Sequence, residues 1–139
     1  MTDLKIRTKI AEILGWKPDD DGAGLNTWEA SWAGNKLYGL KPRFDDSGKL
    51  VSYTVDCVVP NFPEDLNACH EFEKAKLTTI SLVTDYGIRL ANIMHRDHNH
   101  HPRIADTGWK LPVVGNCNWC ATARQRCEAF LRVYNQWEE

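Results

Sequence analysis

The chain has 139 residues, with 17 Lys plus Arg against 19 Asp plus Glu and a formal charge of −2. That length suits one domain with a core that needs no disulfide staples, and the near-neutral balance gives no global positive field for nucleic acid or anionic lipid, so any phosphate binding must be local. No stretch approaches the roughly 20 apolar residues of a membrane span, and an odd count of five cysteines without a signal-like opening argues against a secreted disulfide framework, so a cytoplasmic protein with reduced thiols is expected.

Ile6, Ile10 and Ile13 recur at helical spacing after Thr2 and Asp3, and Gly15 supplies a stop, so residues 3 to 14 read as an amphipathic helix. Residues 17 to 26 are turn-forming and carry Asp19, Asp20 and Asp21, an acidic run that lacks the alternating ligands and closing Glu of an EF-hand and reads as a solvated loop. Six tryptophans are a heavy load; Trp28 and Trp32, flanked by glycines and polar residues, serve either as core or as the walls of a pocket for a flat ligand.

Residues 36 to 44 and 49 to 59 are rich in β-formers and meet at Asp45-Asp46-Ser47-Gly48, which predicts an antiparallel hairpin. Pro60 and Pro63 end the second strand, and the acidic Glu64-Asp65 opens a helix whose stripe is Leu66, Cys69 and Phe72. On that helix His70 and Glu73 are three residues apart and close enough to touch, the best acid/base-like pair in the chain, though a half-buried His with a surface partner is the simpler reading. From Leu77 to about Met94 the helical spacing of Ile80, Val83, Leu90 and Ile93 competes with β-branched Thr78-Thr79 and with Gly87; helix is the expectation. Residues 97 to 118 are polar and broken by prolines and glycines, with one short apolar piece at 111 to 114 that suits a strand.

His95, His98, His100 and His101 precede the pair Cys117-x-x-Cys120 by some twenty residues. His95, His98, Cys117 and Cys120 offer the four nitrogen and thiolate donors of a tetrahedral zinc site, although zinc fingers place the cysteine pair first. Solvated loop histidines without metal are the competing reading. The His-Asn-His string invites comparison with HNH-type nucleases, a metal-dependent alternative that the absence of a basic surface weakens. Cys57, Cys69 and Cys127 lie in apolar patterns and read as core residues.

Thr122 followed by Gln125 is a capping box, which starts a helix at Ala123. Cys127, Phe130, Leu131 and Tyr134 form one apolar stripe, with Arg124, Glu128 and Arg132 pointing elsewhere, so one face should pack on a core. The helix start offers free N–H groups beside Arg124 and Arg126, which suits a phosphate or a carboxylate; Thr122, Arg124, Arg126, Trp119, His70 and Trp28 are the candidate ligand residues. Against this, most helix starts are capped by their own side chains or by water.

Three stretches, 10 to 16 (Ile-Ala-Glu-Ile-Leu-Gly-Trp), 59 to 74 and 121 to 131, together resemble the phage ABA sandwich domain family of small phage and prophage proteins. The resemblance implies an α+β fold, a layered α/β/α sandwich in which a small antiparallel sheet is flanked by helices, as a single domain over 1–139 with residues 95–120 as a family-atypical insertion. It carries no established activity. It implies a phage-encoded accessory protein in the host bacterial cytoplasm that acts by binding, either sequestering a nucleotide-type immune signal or engaging a host defence protein. No catalytic constellation is assembled in the sequence, no cofactor beyond zinc is suggested, and Tyr134 and Trp137 are candidate anchors for a protein partner or a homo-oligomer.

Overall fold

The structure, a computed structural model, describes residues 1–18, 28, 32–33, 36–97 and 121–139. Along the chain run α1 (Asp3–Ile13), β1 (Lys17–Pro18), β2 (Trp32–Ala33), β3 (Lys36–Phe44), β4 (Leu50–Val58), α2 (Leu66–Lys76), α3 (Ile80–Asp97) and α4 (Ala123–Val133). The fold is mixed α+β, with antiparallel strands all pairing to β3.

Each helix starts where its side chains can satisfy the first backbone donors. Thr2 Oγ1 accepts from Lys5 N at 3.3 Å to start α1. Asp65, expected within the first turn of α2, is instead its N-cap, with Oδ1 accepting from Asn67 N at 2.9 Å and Ala68 N at 3.2 Å. Thr79 stands just ahead of α3 and accepts from Leu82 N at 3.2 Å, so the β-branched pair that argued for a strand supplies the helix start. Gly87 does not interrupt α3; it is buried within it, one residue after Tyr86. Tyr86, Leu90 and Ile93 form the buried stripe, while Ile80, expected on it, is 87% exposed in the first turn.

α1, α2 and α3 all pack on α4. This corrects the one-faced packing expected of α4: from Gln125 to Leu131 every residue is buried, charged ones included. A helix surrounded on several sides must either be apolar all round or pair each polar group internally. α4 does the second, and the partners of Gln125, Arg126 and Glu128 are its main structural feature. The core around it is Ile6, Ile10, Phe62, Cys69, Phe72, Tyr86, Leu90, Cys127, Phe130 and Leu131, with the Phe72 and Phe130 rings 4.3 Å apart between centroids.

The sheet reaches this core through Leu37 of β3, joined by Val59, Trp16 and Trp28 from the segments that flank the strands. Gly39 is required there, because a Cβ at this position would come within 2.9 Å of the Trp28 ring and 3.1 Å of the Lys17 carbonyl. Farther out the hairpin leaves the core, and Phe44, Leu50, Val51, Val55 and Val58 are exposed. The turn is the one expected: Asp45 Oδ1 accepts from Ser47 N and Lys49 N, each at 2.9 Å, and Gly48 takes a positive φ. Opposite Leu40 the register slips so that Val55 and Asp56 face one residue, and Asp56 has φ 57°, a bulge the sequence did not announce.

The chain leaves α4 through a Schellman motif. Gln136 N donates to Leu131 O at 2.8 Å and Asn135 N to Arg132 O at 3.1 Å, with Asn135 left-handed at φ 56°. The turn sends residues 136 to 139 back toward α1, where Lys9 Nζ donates to Gln136 Oε1 at 3.3 Å and Lys5 Nζ to Glu138 Oε2 at 2.9 Å.

Candidate arginine cleft between α3 and α4

The capping box forms as the sequence reads. Thr122 Oγ1 accepts from Gln125 N at 3.1 Å, and Gln125 Oε1 accepts from Thr122 N at 2.9 Å. The flanking arginines are engaged by the chain's own acids. Arg124 meets the Asp3 carboxylate and the Met1 carbonyl, and Arg126 turns inward, 2% exposed, with Nη1 donating to both Glu73 oxygens at 3.0 Å.

The candidate ligand residues are therefore placed apart. Trp28 is buried, with Nε1 donating to Glu12 Oε1 at 2.9 Å near the end of α1, while Arg124 reaches Asp3 at its start. At 1.5 Å per residue the two anchor points on α1 are roughly 13 Å apart. Arg126 and His70 do meet, through Glu73: His70 Nδ1 is 3.4 Å from Glu73 Oε1, and Tyr86 OH donates to Glu73 Oε2 at 2.9 Å. In that pair the His side chain is 58% exposed and the Glu 12%, so the carboxylate is the buried member and the imidazole its surface partner, the reverse of the expected burial. Burial, and then the Glu73 charge, push the Tyr86 phenol far above its ordinary pKa, which keeps it a hydrogen donor at any physiological pH.

Of the expected zinc ligands, His95 lies exposed in the last turn of α3, whereas His98, Cys117 and Cys120 lie outside the described residues, as does Trp119. Among the described residues no three His, Cys, Asp or Glu side chains gather as a metal site. Cys69 and Cys127 are both fully buried with sulfurs 3.9 Å apart, and Cys69 also approaches the Phe62 carbonyl at 3.2 Å. Burial pushes the Cys127 thiol up, the setting of an unreactive core thiol. Cys57 is only half-buried.

The arrangement with binding chemistry lies on the other flank of α4. Arg89, Asn92, Ile93 and Arg96 of α3 face Glu128 and Arg132 of α4 across a cleft of about 230 Å³. Spacings of three and four residues stack these side chains on facing helix surfaces. Glu128, 8% exposed, forms the floor. Arg96 grips it with two hydrogen bonds, Nη1 to Oε2 at 2.8 Å and Nη2 to Oε1 at 3.1 Å, and Arg132 Nε donates to Oε2 at 3.0 Å. Three exposed or half-exposed carboxylates stand at the rim: Asp85 on Arg89 Nε at 3.0 Å, Asp97 on Arg96 Nε at 2.9 Å and Glu139 on Arg132 Nη2 at 2.8 Å.

Hydrogen bonds to Asp97 and then to Glu128 raise the Arg96 pKa, and at Arg132 burial opposes the charge while Glu139 and Glu128 more than restore it. Both guanidinium groups are permanently charged donors with forked geometry, the chemistry that takes phosphate or carboxylate oxygens in pairs. Sequence reading missed this cleft. The available signal was the Glu128/Arg132 pair at i,i+4 and the matching Arg89/Arg96 spacing on the preceding helix.

Compared with protein-family models, with curated proteins and with solved structures, the chain shows no match. Among the described residues, no helix is long and apolar enough to cross a membrane.

Proposed function

We propose that this chain is a phage-type accessory protein that acts by binding, and that it holds a small phosphate-bearing ligand of the nucleotide class in the cleft between α3 and α4. The observation that carries this reading is the convergence of Arg96 and Arg132 on one buried carboxylate, Glu128, with Arg89 lining the same open cleft, which is large enough for a phosphate group and part of what it is attached to. Glu128 fixes two of the guanidiniums in place, so their outward N–H groups are held in position before a ligand arrives. The rim carboxylates are weak competitors, since exposed ion pairs contribute about 0–1 kcal/mol, and a multiply charged phosphate can displace them.

Capture without chemistry is the best fit to these groups. The cleft holds guanidiniums, an amide and a salt-bridged carboxylate, which recognise and neutralise charge; the buried thiols and the buried tyrosine lie elsewhere and are held protonated. The phage origin and the role against host defence rest on the resemblance of residues 10 to 16, 59 to 74 and 121 to 131.

The test is a thermal-denaturation panel of linear and cyclic nucleotides, ADP-ribose-type compounds and inorganic pyrophosphate. A ligand at a hundred times its Kd should stabilise the fold by about 2.7 kcal/mol. Arg89→Gln and Arg96→Gln should each weaken that response, and rising salt should weaken it further. A panel with no response in the wild type would dismiss the small-ligand reading.

A further inference from the structure

The cleft already holds an anion of its own. The Schellman turn at Asn135 reverses the chain after α4, Lys5 and Lys9 hold Glu138, and the Trp137 ring lies 5.6 Å from the Arg132 guanidinium carbon. This run of contacts delivers the next side chain, Glu139, to the cleft mouth, where its Oε1 accepts from Arg132 Nη2 at 2.8 Å. Arg96, the other guanidinium on Glu128, also acts on Glu139: the carboxyl is held below its usual pKa first by the hydrogen bond from Arg132 and, more weakly, by the Arg96 charge.

We infer that Glu139 is an internal competitor for the anion site, a carboxylate that occupies Arg132 in the free protein and that a phosphate-bearing ligand must displace. This rests on the reading of the cleft as an anion site. Two features make the side chain displaceable. It is 82% exposed, so its departure restores a fully hydrated carboxylate, and Arg132 keeps its second partner, Glu128, when Glu139 leaves. A ligand phosphate then gains the Arg132 Nη2 donor, while Glu128 continues to orient the guanidinium. The contact thus sets a threshold on affinity and selects ligands whose charge is denser than one carboxylate. It also couples the site to residues 136 to 139, because releasing Glu139 loosens the segment that Trp137 and Glu138 hold against α4 and α1.

The experiment is calorimetric titration of the full chain with inorganic pyrophosphate at fixed ionic strength, comparing wild type, Glu139→Gln and Glu71→Gln. Glu71 is an exposed acid of α2 and reports what the loss of one negative charge does by itself. The expected result is pyrophosphate binding about two- to fivefold tighter in Glu139→Gln, the range of an exposed ion pair, with Glu71→Gln unchanged. Equal affinity in wild type and Glu139→Gln overturns the competitor role and leaves the cleft standing as the site. An equal gain in Glu71→Gln overturns it as well, because the effect is then net charge alone. If no protein in the set binds pyrophosphate, the anion-site reading falls together with the inference.

Discussion

Replacing Arg126 by Met tests the central pairing of α4 most directly. Arg126 is 2% exposed and its Nη1 lies 3.0 Å from both oxygens of Glu73, itself 12% exposed. Removing one member of a buried pair leaves the other charge desolvated, at a cost of about 3–5 kcal/mol. Here Glu73 keeps the Tyr86 hydroxyl at 2.9 Å and the His70 imidazole at 3.4 Å, so the low end applies. We expect a loss of about 3 kcal/mol, which for a domain of this size lowers Tm by roughly 10 °C. Urea denaturation followed by tryptophan fluorescence should show a lower midpoint with an unchanged slope. The double variant Glu73→Gln/Arg126→Met removes the orphaned charge and should recover about 1–3 kcal/mol of that loss, the range for coupled neighbours. A single variant within about 0.5 kcal/mol of wild type, the scatter of an ordinary surface change, would refute the buried placement of Arg126.

Three further outcomes follow from the same packing. Gly39→Ala should destabilise by about 1–3 kcal/mol, seen as a lower urea midpoint and altered tryptophan emission, because the new methyl meets the Trp28 ring at 2.9 Å. Thr122→Ala should cost about 1 kcal/mol in the same assay, since it removes the acceptor for Gln125 N. Stability should fall as pH rises above about 8.5 and more steeply above about 10: Tyr86 and Cys127 have folded pKa values raised by burial, so their stabilisation is complete below the unfolded pKa values of about 10 and 8.5 and is lost above them. Tyr86→Phe should reduce the decline between pH 10 and 11 by about 1 kcal/mol, and a Tyr86→Phe profile parallel to wild type would show the phenol to be accessible.

Local signals were legible and long-range ones were not. The capping box at Thr122 and Gln125, the hairpin turn at Asp45–Gly48 and the stripe of Ile6 and Ile10 depend on neighbours within one or two turns, and the sequence displays them directly. The burial of Arg126 and Glu128 depends on Glu73 and Arg96, which lie 53 and 32 residues away, and no periodicity within α4 reports that distance. For the same reason the helix start read as an open anion site: the carboxylates that engage Arg124 and Arg126 come from α1 and α2. Gly87 misled in the other direction, since its helix penalty of about 1 kcal/mol is small beside the burial of Tyr86 and Leu90 on the same helix. The cleft was hidden because its two walls are separate helices, each with a polar surface that reads as ordinary solvated exterior.

The left-handed Asp56 has a consequence for solubility. Among the described residues β4 pairs only with β3, and it carries Val51, Val55 and Val58 in the open, the composition from which fibrils grow by adding strand to strand. A flat rim of that kind would template copies of itself, but a kink after Val55, with the polar Asp56 at its apex, breaks the ladder to which a second molecule would have to conform. Deleting Asp56 would straighten the rim and remove its polar apex together, turning a self-limiting hairpin into a sticky one.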